Sequence, residues 1–73
     1  MDILLTYGVI YPYEQIKQYI QKYKPKLETF GYMEEGKHFI LLTDHKYKNT
    51  YSFILTTIMD SEYWYTCIYT KYR

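Results

Sequence analysis

Tyr51-Ser52-Phe53-Ile54-Leu55-Thr56-Thr57-Ile58-Met59 is the stretch that decides the fold. It is crowded with β-branched and aromatic residues, which suit a pleated strand and fit a helix poorly. Two further runs of the same character flank it. Residues 38–43 (His-Phe-Ile-Leu-Leu-Thr) precede it, and residues 63–72 (Tyr-Trp-Tyr-Thr-Cys-Ile-Tyr-Thr-Lys-Tyr) follow. The polar segments 44–49 and 60–62 are turn-like, so the three runs predict an antiparallel meander. Upstream, residues 12–24 change period. Tyr13, Ile16, Tyr19, Ile20 and Tyr23 fall on one helical face, with Gln15, Lys17, Gln18, Gln21, Lys22 and Lys24 largely on the other. Pro12 suits a first helical position, Glu14 suits the helix dipole, and Pro25 stops the helix near Lys24.

Residues 3–11 complete the expectation as an apolar first strand, with Gly8 as a bulge or bend. Residues 25–30 are expected to add a short further turn ended by Gly31, and residues 32–37 a polar turn. The order is then β-α-β-β-β: an α+β fold, one helix on a four-stranded, mainly antiparallel sheet, in a single domain of residues 1–73.

Alternation places Phe39 and Leu41 opposite Ile40 and Leu42. Tyr51, Phe53, Leu55 and Met59 oppose Ile54 and Ile58; Tyr63, Tyr65, Cys67 and Tyr69 oppose Trp64, Ile68 and Tyr72. Both faces are therefore apolar, yet one helix covers only one. The second face is expected to meet a partner or a second copy of the chain, and we expect a homodimer through that face or an edge strand.

Composition narrows the function classes. A 73-residue chain has a thin core, and its single cysteine, Cys67, excludes an internal disulfide. One thiol points to a reducing compartment, so a cytoplasmic protein is expected. The first eleven residues carry Asp2 and lack a basic start or small-residue cleavage site, and no run reaches the ~18–20 apolar residues of a membrane span. Nine Lys and Arg against eight Asp and Glu provide no global field for nucleic acid or a membrane.

Catalytic groupings are not apparent. His38 and His45, on one strand, would stand roughly 23 Å apart. Cys67 sits among apolar strand residues as a small hydrophobe. Glu34 and Glu35 fall in a turn, and no phosphate-cradling glycine loop or metal-ligand spacing is present. No enzyme activity, metal or cofactor is expected.

Twelve tyrosines are the anomaly. AT-rich coding accounts for abundance alone, and so does an interaction surface. Their context is more specific. A tyrosine lies between two basic residues at Lys22-Tyr23-Lys24, Lys46-Tyr47-Lys48 and Lys71-Tyr72-Arg73. A shuffled chain would hold on the order of 0.2 such triplets. Either the rings stack on bases while the charges meet phosphates, or the tyrosines pack inward beneath solvated lysines.

Lys26-Leu27-Glu28-Thr29-Phe30 resembles the pentapeptide that docks on the bacterial DNA sliding clamp, usually Gln-Leu-x-Leu-Phe, with Leu27 and Phe30 as the matching anchors. A structural alternative is that both simply pack onto the sheet. With its short, Tyr/Lys/Ile-rich character, the chain resembles small early proteins of phages that infect low-GC Gram-positive bacteria. That resemblance implies a non-catalytic inhibitor of a host replication or transcription protein, the clamp among them. The alternative is a small single-stranded nucleic-acid binder.

Overall fold

The computed structural model describes residues 5–72. The chain runs β1 (Ile10–Pro12), α1 (Tyr13–Tyr23), β2 (Lys26–Tyr32), a single 3-10 turn (Met33–Glu35), β3 (Lys37–Asp44), β4 (Asn49–Met59) and β5 (Glu62–Lys71). All pairings are antiparallel, in the order β1-β5-β4-β3-β2. The α+β class and the single helix are as the sequence predicts, but the sheet has five strands, not four.

The additional strand is β2, where a helical turn was expected. Seven rungs, from Lys26↔Thr43 to Tyr32↔Lys37, pair it with β3. Pro25 disfavours helix in the residue before it, and Thr29 and Phe30 suit a pleated strand. Pairing with β3 also satisfies backbone groups that a single turn would leave open. Gly31 has φ +83°, and a Cβ there would overlap the Lys37 carbonyl oxygen, so only glycine fits this close approach. The expected first strand shrinks to three residues; its Ile3 and Leu4 lie outside the described residues.

Pro12 is extended (φ −66°, ψ 148°), and the helix begins after it at Tyr13. The helix ends at Lys24, in the left-handed region (φ 50°), whose N–H donates to the Ile20 carbonyl at 2.9 Å. Eleven residues give a helix only about 16 Å long. It packs on β1 and β5. Beneath it lie Tyr11, Ile40, Leu42, Tyr51, Phe53, Leu55, Tyr65 and Cys67, with Ile16 and Tyr19 from the helix itself.

Two register shifts in the β4–β5 pair correct the expected faces. Ile68 is an extra residue between the Phe53↔Cys67 and Ser52↔Tyr69 rungs, so Tyr69 turns to the face away from the helix. Tyr72 moves the other way and meets the core ring of Tyr51, with centroids 5.9 Å apart. Thr56 is the extra residue in β4, which exchanges the expected sides of Ile58 and Met59.

Candidate functional site

Three surfaces follow from this arrangement. The first is a groove of about 300 Å³ on the helix side of the sheet, lined by Tyr13, Leu27, Thr29, Met33, His38, Ile40, Tyr63 and Tyr65. It exists because the short helix packs mainly over β1 and β5, and most of β2 is left exposed among the described residues. Its polar feature is His38 Nδ1, 2.8 Å from the Tyr65 hydroxyl. Burial, with Tyr13 and Tyr63 nearby, pushes the Tyr65 phenol up to about 12. The mostly apolar groove suits an apolar side chain or small ring, with the His38–Tyr65 pair and the hydroxyl-bearing Tyr13, Thr29 and Tyr63 in its lining. The sequence hides this pair, because His38 and Tyr65 are 27 residues apart and become neighbours only through the sheet.

The second surface is the sheet face away from the helix. Rungs Phe30↔Phe39, Phe39↔Ile54, Ile54↔Thr66 and Thr66↔Ile10 form one row across all five strands. Leu41, Trp64, Ile68 and Tyr69 extend it. Phe30 is 50% exposed, Tyr69 48% and Ile68 42%. Phe39, Leu41, Ile54 and Trp64 are half-buried. The Trp64 indole N–H is buried with no acceptor among the described residues.

The third is formed by the basic-flanked tyrosines. Ring contacts run Tyr47–Tyr23 (5.6 Å), Tyr23–Tyr19 (4.6 Å), Tyr19–Tyr51 (5.3 Å) and Tyr51–Tyr72 (5.9 Å). The central tyrosines of all three triplets thus belong to one chain of rings. Lys22 Nζ lies 5.3 Å from the Tyr23 centroid and Lys46 Nζ 5.4 Å from that of Tyr47. Asp44 shapes the turn that carries Lys46, Tyr47 and Lys48. Its buried carboxylate accepts from the Lys46 and Tyr47 amides at 3.1 and 3.0 Å and from the Tyr19 hydroxyl at 3.3 Å. The Tyr72 hydroxyl donates to the Leu5 carbonyl. Lys24, Lys48 and Lys71 are exposed around these rings; Arg73 lies outside the described residues.

No family model, curated protein or solved structure matches this chain.

The clamp-like pentapeptide is not brought together as a paired anchor. Leu27 faces the groove with Leu42, whereas Phe30 faces the opposite side with Phe39. Of the candidate reactive groups, Cys67 is fully buried, and burial pushes its thiol up. Glu34 and Glu35 occupy the exposed 3-10 turn. His38 lies near the start of β3 and His45 follows its end. Among the described residues, no group of three or more His, Cys, Asp or Glu could hold a metal, and no helix is long and apolar enough to cross a membrane.

Proposed function

We propose that this chain is a non-catalytic binding protein whose open sheet face seats another protein, and that it inhibits that partner by occupying its surface. The observation that carries this reading is the apolar run Phe30, Phe39 and Ile54, continued past Thr66 to Ile10, across a sheet whose one helix among the described residues packs on the other side. Contiguous apolar surface of this kind marks docking sites, and large rings supply most of the energy at their centres. The resemblance to small phage early proteins directs the search toward host replication and transcription proteins, the DNA sliding clamp among them. With β2 paired, a clamp contact would use Phe30 from the open face and leave Leu27 in the groove. Pairing of two copies through the same face is the competing use of this surface.

A photo-crosslinking residue at Phe30 or Tyr69, compared with one at Gln18 on the exposed side of the helix, tests the reading in lysate and with the purified protein. The expected result is a crosslink to one distinct polypeptide from both sheet positions, absent from Gln18 and lost with Ile68→Lys. Crosslinking only to itself, with a light-scattering mass twice 9.1 kDa, would assign the face to a homodimer. A monomer that crosslinks no more from the sheet than from Gln18 would refute the proposal.

A further inference from the structure

The net charge of +1 conceals a separation of charge that the fold creates. Followed along the meander, β2 starts, β3 ends, β4 starts and β5 ends at one end of the sheet, and α1 also ends there. That end carries Lys24, Lys26, Lys46, Lys48 and Lys71. The opposite end carries Glu34 and Glu35 of the 3-10 turn, with Asp60 and Glu62 of the β4–β5 hairpin, against one lysine, Lys37 at the start of β3. Two carboxylates near the basic end are already engaged. Asp44 is 2% exposed and holds Tyr19 and the turn amides, and Glu28 pairs with Lys26 at 3.6 Å. Between the lysines stand exposed rings: Tyr47 is 44% exposed and Tyr72 46%.

We propose that this basic end binds single-stranded nucleic acid, with Lys24, Lys46, Lys48 and Lys71 meeting phosphates and Tyr47 stacking on a base. The inference does not rest on the sheet-face reading, although Lys71 and Lys26 lie on the same face as Phe30 and Ile54, at its end. Lysines alone would serve any polyanion. The interleaved rings select a strand whose bases are free, because stacking requires an unpaired base face. A duplex keeps its bases stacked and offers only their edges in its grooves. Across this end of the sheet, Lys71 on β5 and Lys26 on β2 stand three strand spacings, about 14 Å, apart.

Fluorescence anisotropy with labelled dT12 and rU12 tests this, with a 12-base-pair duplex and phosphatidylserine vesicles as separate arms. The wild-type protein should bind the single strands with a log affinity against log salt slope of roughly −2 to −3, about 0.7 for each phosphate contacted. Replacing Lys46 by Gln and Lys48 by Asn should flatten that slope by roughly 1–1.5. Asn suits the left-handed backbone of Lys48 (φ 59°), which protects the turn. Tyr47→Leu should weaken binding roughly 5- to 150-fold with little change in slope. Lys37→Gln, at the opposite end, should change neither. Far-UV circular dichroism checks each fold, and Lys24→Gln with Lys71→Gln gives a second reading on elements outside the turn. No single-strand binding at 50 mM salt would overturn the proposal. So would equal or tighter binding to the duplex or vesicles, or an unchanged slope in both lysine pairs.

Discussion

Replacing Asp44 by alanine should be among the most damaging single changes in the described chain. The carboxylate is 2% exposed and accepts three hydrogen bonds, from Tyr19 and the amides of Lys46 and Tyr47. Hydrogen bonds to a charged group contribute about 1.5–3 kcal/mol each. The two amides belong to exposed turn residues and can turn to water when the acceptor is lost, so much of their share is recovered. The Tyr19 hydroxyl belongs to a residue only 2% exposed and cannot. Leaving such a buried donor unpaired costs about 1–3 kcal/mol, which sets the expected loss at about 2–4 kcal/mol. Stability of about 0.05–0.15 kcal/mol per residue gives this chain roughly 4–11 kcal/mol in total, so the loss is a large fraction. Urea unfolding followed by far-UV circular dichroism should show the midpoint falling by roughly 2 M or more, at a slope near 1 kcal/mol/M. Asp44→Asn keeps an acceptor for the turn and should cost about 1 kcal/mol. Combined with Tyr19→Phe, Asp44→Ala should show a coupling of about 1 kcal/mol or more. An alanine variant within about 0.5 kcal/mol of wild type, or one equal to the asparagine variant, would refute the reasoning.

Three further outcomes are expected. Gly31→Ala should cost about 2 kcal/mol or more, because the left-handed backbone is joined by overlap with the Lys37 carbonyl; Gly36→Ala, at φ +68° with open space around it, should cost only about 1 kcal/mol. Hydrogen exchange should locate the damage in β2, and equal effects at the two glycines would contradict this. Burial pushes the phenols of Tyr19, Tyr51 and Tyr65 above their ordinary value, so the folded state holds protons that the unfolded chain releases. Stability is therefore intact below about pH 10 and falls as pH rises through the Tyr65 value of about 12. Part of the phenolate absorbance should appear only with loss of circular dichroism, and full ionisation in a folded protein would oppose the assignment. Cys67, fully buried with its thiol pushed up, should resist a thiol-reactive disulfide reagent at neutral pH and react at once in urea; rapid native reaction would show that the core opens.

The elements that the sequence made legible are those with a long, consistent period. Helix α1 and strands β3, β4 and β5 each carry enough apolar residues in one pattern to be recognised, and Cys67 is buried as its neighbours imply. Strand β2 was not legible. Lys26 to Phe30 is too short to separate a turn of helix from a strand by periodicity, and Phe39 and its neighbours in β3 decide the matter from elsewhere in the chain. The bulges at Thr56 and Ile68 carry no local signal, yet each reverses the facing of the residues beyond it. The triplets were visible as a recurrence, but their convergence depends on strand order. The His38–Tyr65 pair depends on the same long-range register. The sequence places Asp44 in a turn, and an aspartate at a strand end, two residues before an amide from which it can accept, is the local signal for its capping role.

The abundance of tyrosine takes on physical meaning once the rings are placed. A domain this small needs large side chains to fill its core, and tyrosine lets a ring be buried while its hydroxyl reaches a polar group. The Tyr11 hydroxyl accepts from the Thr6 amide at 2.8 Å, Tyr19 donates to Asp44, and Tyr65 meets His38. Tyr51 is the exception, with no well-formed hydrogen bond among the described residues, although it sits between the rings of Tyr19 and Tyr72. Coding bias can supply tyrosines, but it does not order them into a chain that begins at the exposed Tyr47, passes through the core, and returns to the exposed Tyr72. Because interiors are close-packed, a ligand that shifts Tyr47 must displace Tyr23 or be resisted by it, and Tyr23 rests on Tyr19. The same Asp44 that anchors Tyr19 also fixes the turn bearing Lys46 and Lys48. The backbone that carries Lys46, Tyr47 and Lys48 is therefore held at the end of a packed column whose base is the core.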